Sequence, residues 1–301
     1  MGDATIGLLH PGEMGAAVGQ CLVAAGHRVL WVPEGRSSAS AARAAAAGLS
    51  AASGGLAGLV RETDVIVSVV PPHAALDLAR QVAALGAGRQ AAGSGGIYVD
   101  ANAVAPATAL EIARIVGASY VDGGIIGTPP VAPGFIRLYL SGARAGEVQR
   151  LFAGSPVDAR VIGGDASAGD AVMGDAVVGD AVVGDAVVAA SAVKMAYASW
   201  TKGSAALLLA ARALARAEGV EDTLLAEWGI SQPGLAGRSE RAAGSAAAKG
   251  WRWVAEMEEI AVAMAAAGLP DGFHQAAAEV YRHVGDDPSP DALLTALLSP
   301  P

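Results

Sequence analysis

The sequence predicts an α/β protein in which a doubly wound parallel sheet is followed by an all-α region, and three observations predict it. Short apolar runs with strand character recur at residues 6–9, 27–32, 65–70 and 97–100, with alanine-rich helical segments between them. From residue 189 the pattern is helical almost to the end. The stretch TIGLLHPGEMGAAVG, residues 5–19, reads as a strand, a tight turn and a helix start, the unit from which such sheets are built.

In the first unit, Gly12 and Gly15 let the backbone approach a dinucleotide pyrophosphate whose charge sits at the helix N-terminus. His10 occupies the first glycine position of the GxGxxG spacing, and Pro11, Glu13 and Met14 complete the turn. The imidazole is expected to turn away from the pyrophosphate. Residues 27–32 are the second strand. At its end Glu34 suits a ribose hydroxyl, while Arg36 with Ser37 suits a 2'-phosphate. Arg36 and Ser37 open a helix whose dipole adds to the pairing, so NADP is favoured and NAD remains possible. The third strand ends at Pro71 and Pro72, the fourth leads into ANAVAP, and residues 118–122 and 138–141 supply two more. Ligands of such sheets lie beyond the carboxyl ends of the strands, which singles out loops 71–73, 101–106 and 123–130.

Between residues 164 and 188 a five-residue unit repeats as GDASA, GDAVM and then GDAVV three times. The period matches neither helix nor strand, and the aspartates lack calcium-loop spacing, so this is read as a low-complexity insertion with no metal site. A long helix follows from residue 189, then helices near 223–231, 234–248, 251–267 and 272–284. The expected organisation is a nucleotide-binding domain at 1–163, the insertion at 164–188, a helical substrate and dimerisation domain at 189–285, and a loosely attached tail at 286–301.

The formal net charge of -9 disfavours nucleic acid or an anionic membrane as a partner. Cys21, the sole cysteine, is spaced as a core residue and allows no intrachain disulfide. The start MGDATIGLL has no basic segment and the longest apolar helical stretch is closed by Arg212, so a cytoplasmic protein is expected.

Reducing a carbonyl requires a proton as charge builds on oxygen, and the reverse reaction requires a base. Lys194, near the start of the long helix among apolar residues, is the leading candidate. Helical spacing puts Ala198 and Thr201 beside it and Tyr197 to one side. Arg212, Arg238, Arg241, Lys249 and Arg252 could add an anion contact, although solvated helix faces explain them more simply.

The order of GEMG (12–15), DANAVAPAT (100–108), VDGGIIGTPP (121–130) and SAVKMAY (191–197) resembles the β-hydroxyacid and 6-phosphogluconate dehydrogenase superfamily. Within it the chain is similar to bacterial NAD(P)-dependent oxidoreductases with an uncharacterised phosphogluconate-dehydrogenase-like C-terminal domain. The resemblance runs over most of residues 4–285, omitting the repeat. It implies a Rossmann-type cofactor domain in which the glycine turn holds pyrophosphate and Pro71 and Pro72 border the cofactor. It further implies that Asn102 lies near nicotinamide and substrate, that Gly123 and Gly124 let substrate approach the backbone, and that Lys194 is the catalytic lysine. Three departures stand out: His10 at the first glycine, Ala198 where the family has a substrate-holding Asn, and Glu256, Glu258 and Glu259 in place of a Lys-Asp pair. The stretch from 122 to 142 also resembles imine reductases, for which Tyr197 would matter. The leading expectation is hydride transfer between nicotinamide and a small carbonyl or alcohol substrate. Imine reduction and a non-catalytic cofactor-binding module are the alternatives. Long apolar helices after a complete sheet domain predict a homodimer.

Overall fold

Each apolar run of the first half forms a strand because its β-branched and leucine side chains are buried on both faces of a sheet. The computed structural model describes residues 4–86, 96–129, 135–163, 187–284 and 289–298. The GDAVV repeat through residue 186 and Pro130 lie outside the described residues. The chain divides into two compact units, Met1–Lys194 and Met195–Pro301.

In the first unit, β1 (Thr5–Leu8), α1 (Glu13–Ala24), β2 (Arg28–Trp31), α2 (Ser38–Ala46), β3 (Ser50–Ala51), α3 (Gly55–Glu62), β4 (Val65–Ser68), α4 (Pro72–Ala84), β5 (Ile97–Asp100) and α5 (Pro106–Val116) alternate. β6 (Tyr120–Gly127), β7 (Ile136–Ser141), α6 (Ala145–Leu151) and β8 (Val157–Val161) complete the sheet. Among the described residues its order is β3-β2-β1-β4-β5-β6-β7-β8, so the winding reverses between β1 and β4. The expected all-parallel sheet is corrected at one pair, since β6 and β7 run antiparallel with Gly124 opposite Tyr139. Residues 123–127, read as a ligand loop, therefore belong to β6. The apolar content of IIG continues the strand past the glycine pair. β3 and β8 were not anticipated: one has only two residues, and the other, VDARV, breaks its apolar run with charge. Cys21 is buried in the core against the sheet, as its spacing predicted.

The helix α7 (Ala189–Ala217) begins in the first unit and continues into the second. There α8 (Glu221–Ser231), α9 (Leu235–Lys249), α10 (Trp253–Ala266) and α11 (Gly272–Arg282) follow. The Trp253 and Tyr281 rings meet edge to face at 5.0 Å, and the Tyr281 hydroxyl donates to the Lys202 carbonyl at 2.7 Å. None of the described helices is long and apolar enough to cross a membrane.

The tail differs from expectation. α12 (Pro290–Ala296) is capped by the Ser289 hydroxyl, which accepts from the Ala292 amide at 3.1 Å, and Arg216 bonds Asp291 at 2.8 Å. Leu293 and Leu294 are buried. A proline-rich composition suggested a loose end, but Ser-Pro is a helix-start signal and the two leucines provide the packed face. Leu294→Ala should lower unfolding free energy by about 2–4 kcal/mol, measured by urea denaturation. An unchanged midpoint would restore the loose-tail reading.

Candidate functional site

The parallel order β2-β1-β4-β5 brings the loops after β1, β4 and β5 to one edge of the sheet, at the reversal of winding. Gly15 is required by the chain itself: a Cβ there would lie 2.1 Å from the His10 carbonyl oxygen, so only glycine lets α1 start against the end of β1. The His10 ring lies beside the glycine turn. Its Cδ2 lies 3.3 Å from where a Gly12 Cβ would stand, and its Nδ1 is 3.2 Å from Arg36 Nη1. Arg36 also donates to the Leu9 carbonyl at 3.3 Å. Pro11 is buried and its carbonyl accepts from Arg43 Nε at 3.1 Å. Ser37 caps α2, accepting from the Ser40 amide at 3.2 Å. Glu13 and Glu34 are exposed, and Met14 packs on the core. Arg43 was missed; its place one turn after Ser40, on the helix that Ser37 opens, was the available signal.

Pro71 caps α4 and Pro72 is its first residue, so both border the β4 edge. Asn102 is only 3% exposed. Its Oδ1 accepts from the Val70 amide at 2.6 Å, and its Nδ2 donates to Ser68 Oγ at 3.0 Å and to Asp100. Both amide protons are thereby used within the protein. Asn102 fixes the β4 and β5 loops to each other at the place where a substrate or cofactor contact is expected.

Asp122 on β6 holds the start of α7. It is fully buried, with Oδ2 accepting from the Ser191 amide at 2.7 Å and Oδ1 accepting from the Ser191 hydroxyl at 2.6 Å. Ser141 Oγ shares its one proton between Asp122 at 3.3 Å and the Val187 carbonyl at 3.0 Å, and accepts from the Ala190 amide at 3.1 Å. Lys194 lies one turn beyond Ser191 and is half-buried. A Cβ at Gly124 would sit 2.5 Å from the Ala190 carbonyl oxygen and 3.3 Å from the Lys194 Cβ. A Cβ at Gly123 would lie 3.1 Å from the Asp100 carbonyl oxygen. The missing Cβ atoms thus admit the chain's own backbone at the glycine pair. Asp122, Ser141 and Ser191 were not identified from sequence, because their partners lie far apart in the chain.

Tyr197 and Thr201 lie further along α7 in the second unit, where the Thr201 hydroxyl donates to the Tyr197 carbonyl at 3.1 Å. Tyr197 is exposed and Ala198 buried. Arg212 is not on a solvated face: buried, it bonds Glu221 at 2.7 Å together with Glu240 and Ser239. Glu256 pairs with Lys202, whose ammonium lies 5.7 Å from the Trp253 ring centroid. The family's Lys-Asp pair is absent from α10, yet an acid-base pair forms there with a lysine from α7. Among the described residues no group of His, Cys, Asp or Glu could hold a metal ion.

Residues 5–103 match the family model for NADP oxidoreductase, coenzyme F420-dependent, and residues 215–284 match a domain of unknown function, DUF1932. No curated protein matches the chain. Among solved structures, a Mycobacterium tuberculosis 3-hydroxyisobutyrate dehydrogenase with L-serine is 18% identical, with 99% of this chain and 100% of that chain covered and a TM-score of 0.65. The fold is the hydroxyacid dehydrogenase fold. A conserved protein of unknown function, described as similar to 3-hydroxyacid dehydrogenases, is 24% identical over 97% of this chain and 99% of its own, with a TM-score of 0.61. An imine reductase from Myxococcus stipitatus in complex with NAD+ is 20% identical over 99% and 100%, with a TM-score of 0.53.

In this hydroxyacid dehydrogenase fold the Asp122 knot is also a titrating element. Burial pushes its carboxyl up to about 6, against the lowering effect of the Ser191, Ser141 and Tyr120 hydrogen bonds. Unfolding returns the group to about 3.9, so the native state binds its proton more tightly. That stabilisation is complete below about pH 4 and lost as pH rises through about 6, on the order of 3 kcal/mol in all. Relative to Asp122→Asn, the unfolding free energy of the wild type should therefore fall between about pH 4 and pH 7 by this amount. Parallel urea stability curves for the two proteins would refute the assignment.

Proposed function

We propose that this protein is an NAD(P)-dependent oxidoreductase that interconverts a small carbonyl compound and its alcohol, with Lys194 as the proton donor and acceptor. The observation that carries the reading is the fixing of Lys194 against Gly124 of β6, in the same unit as the glycine turn at the sheet's reversal. The donor set of that unit suits a dinucleotide: the Gly12 to Gly15 turn opens α1 for pyrophosphate, and Arg36, Ser37 and Arg43 stand at the end of β2 for the adenosine ribose. Their cationic character favours NADP over NAD.

A bound nicotinamide supplies or accepts the hydride. The Lys194 ammonium donates its proton to the carbonyl oxygen as charge develops there, and the neutral amine takes it back in the oxidation direction. The Asp122 and Ser191 bonds hold the helix that carries the lysine, and the Asn102 bonds hold the loops after β4 and β5 to each other. Tyr197, exposed one turn from Lys194, is the specific observation that favours imine reduction as a second reading, with its phenol as proton source.

A homodimer accords with the surface of α7. Val193, Trp200, Leu207 and Leu214 recur every seven residues and are exposed, Trp200 at 68%. Such a stripe on a soluble helix calls for a partner helix, and a second copy supplies one.

Lys194→Met should reduce turnover of carbonyl substrates by about 10²–10⁴-fold while leaving NADPH binding intact. Full turnover would remove the lysine from the mechanism, and a Tyr197→Phe loss confined to imine substrates would favour the second reading. Trp200→Glu with Leu207→Glu should convert a dimer to a monomer by light scattering; a monomeric wild type would refute the dimer.

A further inference from the structure

We propose that His10 is a specificity residue for the cofactor, which acts by positioning Arg36 so that the pair selects a dinucleotide bearing a 2'-phosphate. The inference rests on the dinucleotide-binding reading above and deepens it.

A free arginine side chain at a surface carries rotamer entropy that an anion must overcome when it binds. Arg36, although exposed, is already anchored at two points: Nη1 donates to His10 Nδ1 at 3.2 Å and Nη2 to the Leu9 carbonyl at 3.3 Å. Both anchors lie at the carboxyl end of β1. A guanidinium has five N–H groups, so three remain for a ligand.

A guanidinium can only donate, so in this bond the imidazole accepts through Nδ1. Arg43 is held in the same manner, by the Pro11 carbonyl at 3.1 Å and Ser40 Oγ at 3.2 Å. None of these anchors is a carboxylate. They fix two guanidinium groups beside the residue 9–11 turn without cancelling their charge, as a phosphate dianion requires. A glycine at position 10, as the ordinary fingerprint has, would provide no side-chain acceptor and would leave Arg36 on the Leu9 carbonyl alone. The departure from the fingerprint is therefore tied to the residue that reads the ribose.

The test is a binding cycle, read by nucleotide fluorescence without turnover, with NADPH and NADH as probes and with wild type, His10→Gly, Arg36→Ala and the double variant. His10→Gly should weaken NADPH by about tenfold and leave NADH nearly unchanged. His10→Asn, which keeps an acceptor oxygen, should recover part of the loss. In the Arg36→Ala background the His10 substitution should no longer alter the ratio of NADPH to NADH affinity. Equal weakening of both nucleotides, or effects on the ratio that multiply independently, would overturn the proposal and leave the dinucleotide reading standing. A wild type that binds neither nucleotide would overturn both.

Discussion

The Asp122 carboxylate is the constraint on which the arrangement of the first unit depends. It sits in the middle of the sheet on β6 and takes both the amide and the hydroxyl of Ser191, so the first turn of α7 cannot slide or rotate without breaking buried bonds. Ser141 on the antiparallel neighbour β7 extends the grip to the residues just before the helix. Gly124 does the complementary work by omission, since its missing side chain lets the Ala190 carbonyl reach the strand. Lys194, one turn beyond Ser191, inherits its position from these contacts. A buried ionised group is unfavourable by itself, and the four donors around Asp122 offset that penalty only while the helix start stays in place.

The same logic operates at the neighbouring edge. Asn102 connects β5 with the loop after β4 through its side-chain amide, leaving the two loops to move as one. In both places polar side chains that look available for a ligand are used to hold backbone. Rigid small polar residues set the frame.

Much of this fold was legible because strand burial writes itself into the chain as short apolar runs. Residues 6–9, 65–70 and 97–100 could hardly be anything else. The glycine turn was legible for a local reason too, since Gly15 meets a carbonyl only five residues back. What escaped was non-local or masked by composition. Residues 123–127 looked like a ligand loop because two glycines interrupt the run, whereas they form strand pairs with β7. Asp122, Ser141 and Ser191 are ordinary residues until the sheet places them together. Arg212 had the appearance of a solvated charge and proved to be a buried ion-pair centre. Sequence spacing reveals which face a residue occupies on its own element, but not what another element brings to that face.

The surroundings of Arg36 and Arg43 differ from those of most other cations in a manner that bears on function. Elsewhere carboxylates match them: Arg80 with Asp77 and Glu111 and Arg144 with Glu147 in the first unit, and the buried Arg212 with Glu221 and Glu240 and the half-buried Arg216 and Lys202 with Glu221 and Glu256 in the second. In the first unit Arg36 and Arg43 are held by carbonyl, hydroxyl and imidazole acceptors. A chain with a net charge of -9 has carboxylates enough to neutralise two arginines, so their placement against groups other than carboxylates keeps a local positive potential in an acidic protein. Long-range attraction of an anion is weak for such a molecule, and selectivity must then come from short-range geometry. A guanidinium held in advance by an imidazole is that kind of geometry, because it lowers the entropy lost on binding where overall charge offers no help.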